Sequence, residues 1–273
     1  MRAIPEAFDR DVVTEIDRRL DRIEETESVA ITWAIESGSR AWGFPSPDSD
    51  YDCRFIYLRS ERAYLSPWLD RDVIETPLDK IVDVNGWDLR KAIQLAVKGN
   101  AVVVEWLRSP YVYRGSEEFR TELLDMVEAV ADRPAVGRHY SHVCRDQWGR
   151  YGGGGEVSLK RFLYALRPAA SIRWLESHPD SASPPMDLGS LLAENGSSVA
   201  VREATDELIA LKARTREMGD GLVPDVLATY VSDALELGMA MFDQYVDRDL
   251  TEVKARAAST FRSLVRAHGP SSV

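Results

Sequence analysis

The spacing of apolar residues in the first part of the chain predicts one helix followed by short strands. Apolar residues recur at helical spacing within residues 5–27, which predicts an amphipathic helix ahead of a sheet. Residues 29–35 and 51–58 are short apolar runs of the length that buried strands have. Two shorter strands are predicted at 72–76 and 80–84, with a proline-containing turn between them. This part of the chain is therefore predicted to form a small sheet with a helix packed against it.

Beyond residue 116 the pattern is helical to the end of the chain, interrupted by a stretch rich in Pro and Ser at 177–187 that predicts a linker. The helices predicted there are 116–131, 135–148, 157–177, 199–218, 224–246 and 250–267. An earlier helix is predicted at 88–98, after a turn at Asn85-Gly86. We therefore expect an α+β fold. A small mixed β-sheet domain over residues 1–113 would be followed by a helical domain over 114–273, with the active site between them.

Composition and charge narrow the possible functions. The net charge of −11 argues against avid binding of duplex DNA, because proteins that grip long duplexes carry a basic face. A short RNA end, or a nucleotide that arrives with magnesium, is compatible with this charge. Cys53 and Cys144 are too few for a disulfide framework and fit a reducing cytosol. No signal segment or membrane-spanning apolar run is evident, so we expect a cytoplasmic protein without a membrane partner.

The residues with the clearest chemical pattern lie between the two long predicted strands. Gly38-Ser39 follows the first strand, and a Gly-Ser turn at a helix N-terminus offers a backbone N–H and a hydroxyl to triphosphate oxygens. Asp50 and Asp52 lie two residues apart at the second strand, so their side chains share one face. Two such carboxylates can share a pair of divalent cations about 4 Å apart. A Gly-Ser dipeptide or an Asp-x-Asp alone is often only a turn, but their order and spacing favour a nucleotidyltransferase.

Several cationic and aromatic residues are candidates for contacts with a nucleotide. Arg54 shares the strand face of the two acids, where it could neutralise them or touch a phosphate, and Arg40 is a similar candidate beside the turn. Lys160, Tyr164 and Arg167 lie at positions i, i+4 and i+7 of one helix face. Two cations that flank an aromatic ring can clamp a triphosphate and stack a base. The alternative is an ordinary solvated helix face.

Three segments resemble a known family. They are ESGSRAWG at 36–43, SDYDCRFIY at 49–57 and GWDLRK at 86–91. The segments resemble the predicted nucleotidyltransferases of the DNA polymerase beta superfamily, in the branch that includes the RNA-ligase-associated protein of phages and its bacterial relatives. The resemblance extends to about residue 185. It implies transfer of a nucleoside monophosphate from an NTP, with ATP as the expected substrate, to a hydroxyl acceptor with release of pyrophosphate, in RNA repair or modification.

The resemblance also gives a role to an acid inside a predicted strand. Asp83 interrupts an apolar strand, and a lone buried carboxylate is costly unless it is paired or bound to a metal. The resemblance implies that Asp83 is the third metal-binding carboxylate and the base for the attacking hydroxyl. Asp50, Asp52 and Asp83 would then hold two Mg²⁺ ions, or Mn²⁺ in their place. The alternative is an edge strand on which Asp83 faces water.

Sequence reasoning leaves the acceptor open. An RNA 3′ end and a protein hydroxyl are both compatible with the motifs, although the acidic surface disfavours long RNA. A protein that binds a nucleotide without turnover, as a sensor or as the antitoxin-like partner of a second protein, is a different class of function. The presence of Asp83 favours the enzyme, because a binding-only protein has no need of a third carboxylate.

Overall fold

A computed structural model describes residues 1–77, 79, 81–151, 157–214, 220–244 and 248–271. The side chains of residues 150, 151, 157, 160 and 220 lie outside the described part as well. Within the described ranges, no helix is both long enough and apolar enough to cross a membrane.

The first helix forms close to where the apolar spacing predicts it. Helix α1 spans Arg10–Glu27, and it starts later than predicted because the side chain of Asp9 caps it by accepting bonds from the backbone N–H groups of Asp11 and Val12. The side chains that α1 buries follow helical spacing and are Val13, Ile16, Leu20 and Ile23. The helix lies against the sheet through this face.

A five-stranded mixed sheet forms the centre of the first half of the described chain. Its strands are β1 (Ala30–Glu36), β2 (Tyr51–Leu58), β3 (Val73–Glu75), β4 (Val82–Asp88) and β5 (Val112–Gly115). They are arranged in the order β3-β4-β2-β1-β5. β2 and β4 are parallel, whereas the other neighbours are antiparallel. The predicted α+β class with a mixed sheet is confirmed.

Helices connect and cover this sheet. Those within the first half are α2 (Gly38–Ala41), α3 (Glu61–Tyr64), α4 (Leu89–Val97) and α5 (Ala101–Arg108). The later helices are α6 (Glu117–Val130), α7 (Arg133–Tyr151), α8 (Leu159–Ser177), α9 (Leu188–Glu194), α10 (Val199–Arg214), α11 (Asp225–Phe242) and α12 (Thr251–His268). A small antiparallel pair, β6 (Val157–Ser158) and β7 (Asp220–Gly221), lies among them. The sequence patterns did not predict α3, α5, β5, α9 or this pair.

The predicted turn at Asn85-Gly86 is wrong, because β4 continues through both residues to Asp88. Residues 82–88 pair in parallel with residues 51–57 of β2, and residues 85–87 also pair with β3. This pairing on both sides outweighs the local preference of Asn-Gly for a turn. Helix α4 then begins one residue later than predicted, with Asp88 as its N-cap.

The buried side chains form three clusters. One lies between α1 and the sheet, a second lies on the opposite face under α4, α5, α6 and α12, and a third is formed mainly by α7 to α11. Helices α6 and α12 both follow residue 113, yet they pack with the helices that cover the sheet. The division of the chain at residue 113 stays a prediction.

Gly86 should not tolerate a side chain, because β4 passes close to an aromatic ring. A Cβ atom at Gly86 would lie 2.1 Å from the ring of the fully buried Phe55. We expect Gly86→Ala to lower the free energy of unfolding by about 1–3 kcal/mol, the usual cost of overpacking. Equilibrium urea unfolding measures this change. Gly149→Ala is the matched control, since that site in α7 has nothing within 4 Å and should gain up to about 1 kcal/mol of helix stability. Equal stability of Gly86→Ala and the wild type would contradict the tight packing.

Candidate active site

Two acids face each other across the parallel pair of strands. The register of β2 and β4 places Asp52 beside Asp83. Nη2 of Arg54 lies 3.0 Å from Oδ1 of Asp52 and 2.7 Å from Oδ2 of Asp83. Both carboxylates are therefore within reach of a single cation.

Asp83 is also held from its other side. Nδ2 of Asn85 donates a hydrogen bond of 2.6 Å to Oδ1 of Asp83. The Oδ1 atom of Asn85 in turn accepts a bond from the backbone N–H of Thr76 at the end of β3. Each oxygen of Asp83 thus receives a donor, which fixes the orientation of the carboxylate. Sequence reasoning missed Asn85, although its position two residues after Asp83 in a strand places it on the same face.

Asp50 lies one residue before β2, and its side chain is exposed. Burial raises the pKa of Asp52; the charge of Arg54 opposes this rise, and the charges of Asp83 and Asp50 add to it. The charges of Asp83 and Asp50 therefore both act on Asp52. Among the residues that the structure describes, however, no three His, Cys, Asp or Glu side chains stand together as a ready metal site.

The chemistry of these donors fits a divalent cation. Carboxylate oxygens are the ligands that Mg²⁺ and Mn²⁺ prefer. The point between Asp52 and Asp83 already holds the positive charge of Arg54, at hydrogen-bond distance from both. Asp52 and Asp83 form the core of the candidate metal site, and the predicted place of exposed Asp50 in it stays a prediction.

The glycine of the Gly-Ser turn lies directly against Asp52. Gly38 has a φ of +61°, which favours glycine, and a Cβ atom there would lie 2.0 Å from Oδ2 of Asp52. The backbone N–H of Ser37 donates a 2.9 Å bond to the carbonyl oxygen of Asp52. The motif therefore requires glycine at 38 both for the turn and for the close approach to the acid.

The hydroxyl of Ser39 is buried and bound within the protein. It donates to Oγ of Ser49 at 3.0 Å, and Oγ of Ser49 also accepts a bond from the backbone N–H of Ser46. This serine cluster ties the Gly-Ser turn to the loop that leads to Asp50. The predicted contact between Ser39 and phosphate stays a prediction.

Arg40 holds the backbone on which Asp50 lies. Its Nη2 donates to the carbonyl oxygen of Ser49 at 2.7 Å, and its Nε donates to that of Asp50 at 3.2 Å. The guanidinium also stacks over the ring of Tyr51, with 3.8 Å from Cζ to the ring centre. These contacts position the exposed acid. A role of Arg40 toward nucleotide stays a prediction.

Glu36 is a buried acid behind the site that sequence reasoning left without a role. Its Oε1 accepts a 3.1 Å bond from the backbone N–H of Asp52, and its Oε2 accepts a 2.6 Å bond from the hydroxyl of Tyr113. Burial raises the pKa of Glu36 to about 8. This buried carboxyl at the end of β1 thus supports the strand position of Asp52. The available signal was an acid that ends an apolar run.

Tyr164 lies on α8 within a group of aromatic side chains. Its ring packs edge-on against Trp42 and Phe44 at centroid distances of 5.6 and 5.9 Å. Its pKa is raised by burial and by the charges of Asp52 and Asp50. The predicted role of Tyr164, stacking on a base, stays a prediction.

Lys212, which sequence reasoning missed, lies against the same aromatic rings. Nζ of Lys212, on α10, lies 4.6 Å from the ring centre of Phe44 and 5.6 Å from that of Tyr164. Lys212 is fully buried. Lys212 is far from the motifs along the chain, so the sequence gave no indication of this contact.

The side chain of Arg167 is buried rather than exposed on the surface of α8. Its Nη2 lies 2.5 Å from Oε1 of Glu105, which also accepts a bond from the hydroxyl of Tyr140. Its guanidinium stacks over Trp42 at 4.6 Å. This buried ion pair connects α5 with α8 behind the Gly-Ser turn. The predicted nucleotide contact of Arg167 stays a prediction, and the side chain of Lys160 lies outside the described residues.

The pH dependence of stability should depend on Glu36. Its pKa in the folded protein, about 8, exceeds the ordinary value of 4.5, so the folded protein holds a proton that the unfolded chain releases between these values. Stability should therefore fall as the pH rises from 5 to 8, by up to about 1.4 kcal/mol per pH unit. Glu36→Gln removes the ionisation and should flatten this slope. Urea unfolding of both proteins in EDTA measures it, and parallel slopes would exclude Glu36 as the source.

Arg167→Met should destabilise the protein severely. The substitution leaves the charge of Glu105 buried without its partner, which costs about 3–5 kcal/mol. Adding Glu105→Gln should recover part of the loss in urea unfolding. Arg173→Met is the matched control on the same helix, because the pairs of Arg173 with Glu176 and Asp233 are more exposed and contribute about 1 kcal/mol or less. Wild-type stability with a weakened affinity for NTP would show instead that Arg167 binds phosphate.

The chain is similar to known proteins over most of its length. Residues 12–258 match the family described as "RlaP: RNA repair pathway DNA polymerase beta family". "Uncharacterized protein YcgL" of Bacillus subtilis (strain 168) is 39% identical over 219 residues, which cover 80% of this chain and 83% of that protein. A nucleotidyltransferase-like protein from Exiguobacterium sibiricum 255-15, known from a crystal structure, is 10% identical in sequence. The comparison covers 93% of this chain and 91% of that chain, with a TM-score of 0.32. The family match and the YcgL relative together place this chain in the RNA repair pathway DNA polymerase beta family.

Proposed function

We propose that this protein is a metal-dependent nucleotidyltransferase of the cytoplasm that moves a nucleoside monophosphate from an NTP, with ATP as the expected donor, to a hydroxyl acceptor. The observation that carries this proposal is the meeting of Asp52 and Asp83 on adjacent parallel strands, directly against the turn at Gly38. Two carboxylates beside a glycine turn can hold a cation and a phosphate chain next to each other.

The reaction needs little covalent chemistry from the protein. The oxygen of the acceptor hydroxyl attacks the α-phosphorus, the bond from that phosphorus to the bridging oxygen of the β-phosphate breaks, and pyrophosphate leaves with the electron pair. Asp83 takes the proton of the hydroxyl. Phosphoryl transfer depends mainly on positioning and charge neutralisation, so the rigid strand positions of the acids matter most.

The residues divide the remaining work by their positions. Asp50, Asp52 and Asp83 would hold Mg²⁺, or Mn²⁺ in its place, in the two-ion arrangement. When bound, the metal would neutralise phosphate charge and orient the reacting oxygens. Gly38 would let the backbone approach the terminal phosphates. Tyr164 would offer its face to the base.

An RNA 3′ end is the acceptor that the family favours, because its description places it in an RNA repair pathway. The net charge of −11 favours a short or single RNA end over a long duplex. A protein hydroxyl is the other acceptor that the same chemistry allows, and a partner protein could present either one.

Asp52→Asn and Asp83→Asn should each lower the rate of nucleotide transfer by about a hundredfold or more, because each removes a carboxylate from the candidate metal site. Each of the four α-³²P-labelled NTPs is offered with Mg²⁺ or Mn²⁺, and with total RNA or cell lysate as acceptor. Transfer of label is followed on gels before and after treatment with RNase or protease. Label that RNase removes identifies RNA as the acceptor, and label that protease removes identifies a protein.

Asp125→Asn provides the matched control, because it makes the same change at an exposed position of α6 and should leave the rate unchanged. Circular dichroism establishes that all variants are folded. Tight NTP binding without transfer to any acceptor would refute the proposal and favour a nucleotide sensor or partner protein. Near-normal transfer by Asp52→Asn would refute the assigned site.

A further inference from the structure

Arg54 lies at the centre of the candidate site, yet its contacts are with the protein's own acceptors. Nη2 bridges the carboxylates of Asp52 and Asp83. Nη1 donates to the backbone carbonyls of Cys53 and Asp83, at 3.1 and 3.2 Å. The side chain is only 20% exposed. A guanidinium that is committed in this way is placed for the acids rather than for a phosphate.

The two acids need a positive charge between them. They lie side by side on adjacent strands, half-buried, where like charges repel more strongly than in water. Arg54 is two residues after Asp52 on the same strand, so it shares the face of both acids. Its charge offsets their repulsion at the point that a divalent cation would take.

We propose that Arg54 is a positioning residue that competes with the divalent cation for Asp52 and Asp83. This inference rests on the proposed function. The guanidinium holds the two carboxylates facing each other. A divalent cation that binds both acids would displace Nη2 from between them. The bonds of Nη1 to the strand carbonyls do not involve the carboxylate oxygens, so Arg54 keeps an anchor beside the site after that exchange.

Asn85 makes this exchange compatible with a fixed Asp83. It holds Oδ1 of Asp83 and is itself held by Thr76, whereas Arg54 holds Oδ2. Release of Arg54 therefore frees one oxygen of Asp83 while the other stays bonded. Competition at one oxygen of each acid can therefore change the metal affinity while Asn85 keeps the orientation of Asp83.

Binding of Mn²⁺ to the nucleotide-free protein tests the competition directly. We expect Arg54→Gln to bind Mn²⁺ about tenfold more tightly than the wild type in titrations followed by electron paramagnetic resonance. Arg54→Lys keeps the charge and should stay near the wild type. Arg114→Gln is the matched control, because Arg114 also pairs with two carboxylates, those of Asp21 and Glu24, on another face of the protein.

A second measurement on the wild-type protein covers the case that Arg54→Gln does not fold. The ¹⁵N resonance of the Arg54 guanidinium is assigned by its loss in Arg54→Lys. Titration with Mg²⁺ alone should shift this resonance, whereas that of Arg114 should stay in place. The shift reports release of Arg54 from the carboxylates.

Each outcome decides for or against the competition. Tighter Mn²⁺ binding by Arg54→Gln, or a shift of the Arg54 resonance with Mg²⁺, supports it. Unchanged or weaker Mn²⁺ binding together with an unmoved resonance overturns it. If Arg54→Gln binds Mn²⁺ as the wild type does but binds NTP more weakly, the competition is also overturned and Arg54 is a phosphate ligand. These readouts need no transfer reaction, so failure of the proposed transferase activity would appear separately, as intact metal competition without labelled product.

Discussion

The parallel pairing of β2 with β4 is the constraint on which the candidate site depends. Its register places Asp52 beside Asp83, and a slip by one residue would move one of the acids to the opposite face of the sheet. The register is secured by the apolar residue that follows each acid, since Cys53 and Val84 are buried on the face of the sheet that α1 covers. Packing on one face of the sheet thus fixes the chemistry on the other. Gly86 contributes to the same pair, because only glycine leaves room for the ring of Phe55.

A layer of buried polar groups supports this pair from behind. Glu36 ends β1 and accepts a bond from the backbone of Asp52, while its own carbonyl oxygen accepts a bond from the hydroxyl of Ser109. The hydroxyl of Tyr113 donates a hydrogen bond to the side chain of Glu36. Buried polar groups stabilise one arrangement when every partner is present and cost free energy when one is lost. The layer therefore makes the position of Asp52 specific, although its net contribution to stability is modest.

Segments far along the chain complete the surroundings of the Gly-Ser turn. A Cβ atom at Gly43 would lie 2.2 Å from Oδ2 of Asp187, and the backbone N–H of Leu188 donates to the carbonyl oxygen of Trp42. The buried pair of Glu105 and Arg167 lies beneath the same tryptophan. The turn that faces the acids is thus held by α5, α8 and the start of α9. Arg167 thus supports the turn from a buried position, through its contacts with Glu105 and Trp42.

The sequence by itself determined the local parts: α1, β1, β2, the Gly-Ser turn and the strand acids, because apolar periodicity and turn chemistry act over a few residues. It also determined that Arg54 shares the face of Asp52, since alternation along a strand is a local property. Only the tertiary structure decided that β4 passes through Asn85-Gly86, that Arg54 bridges two strands, and that Lys212 reaches the aromatic rings beside the acids. These outcomes depend on strand pairing and helix packing between distant residues. Such pairing overrides local preference when it satisfies more hydrogen bonds and buries more apolar surface than the local alternative.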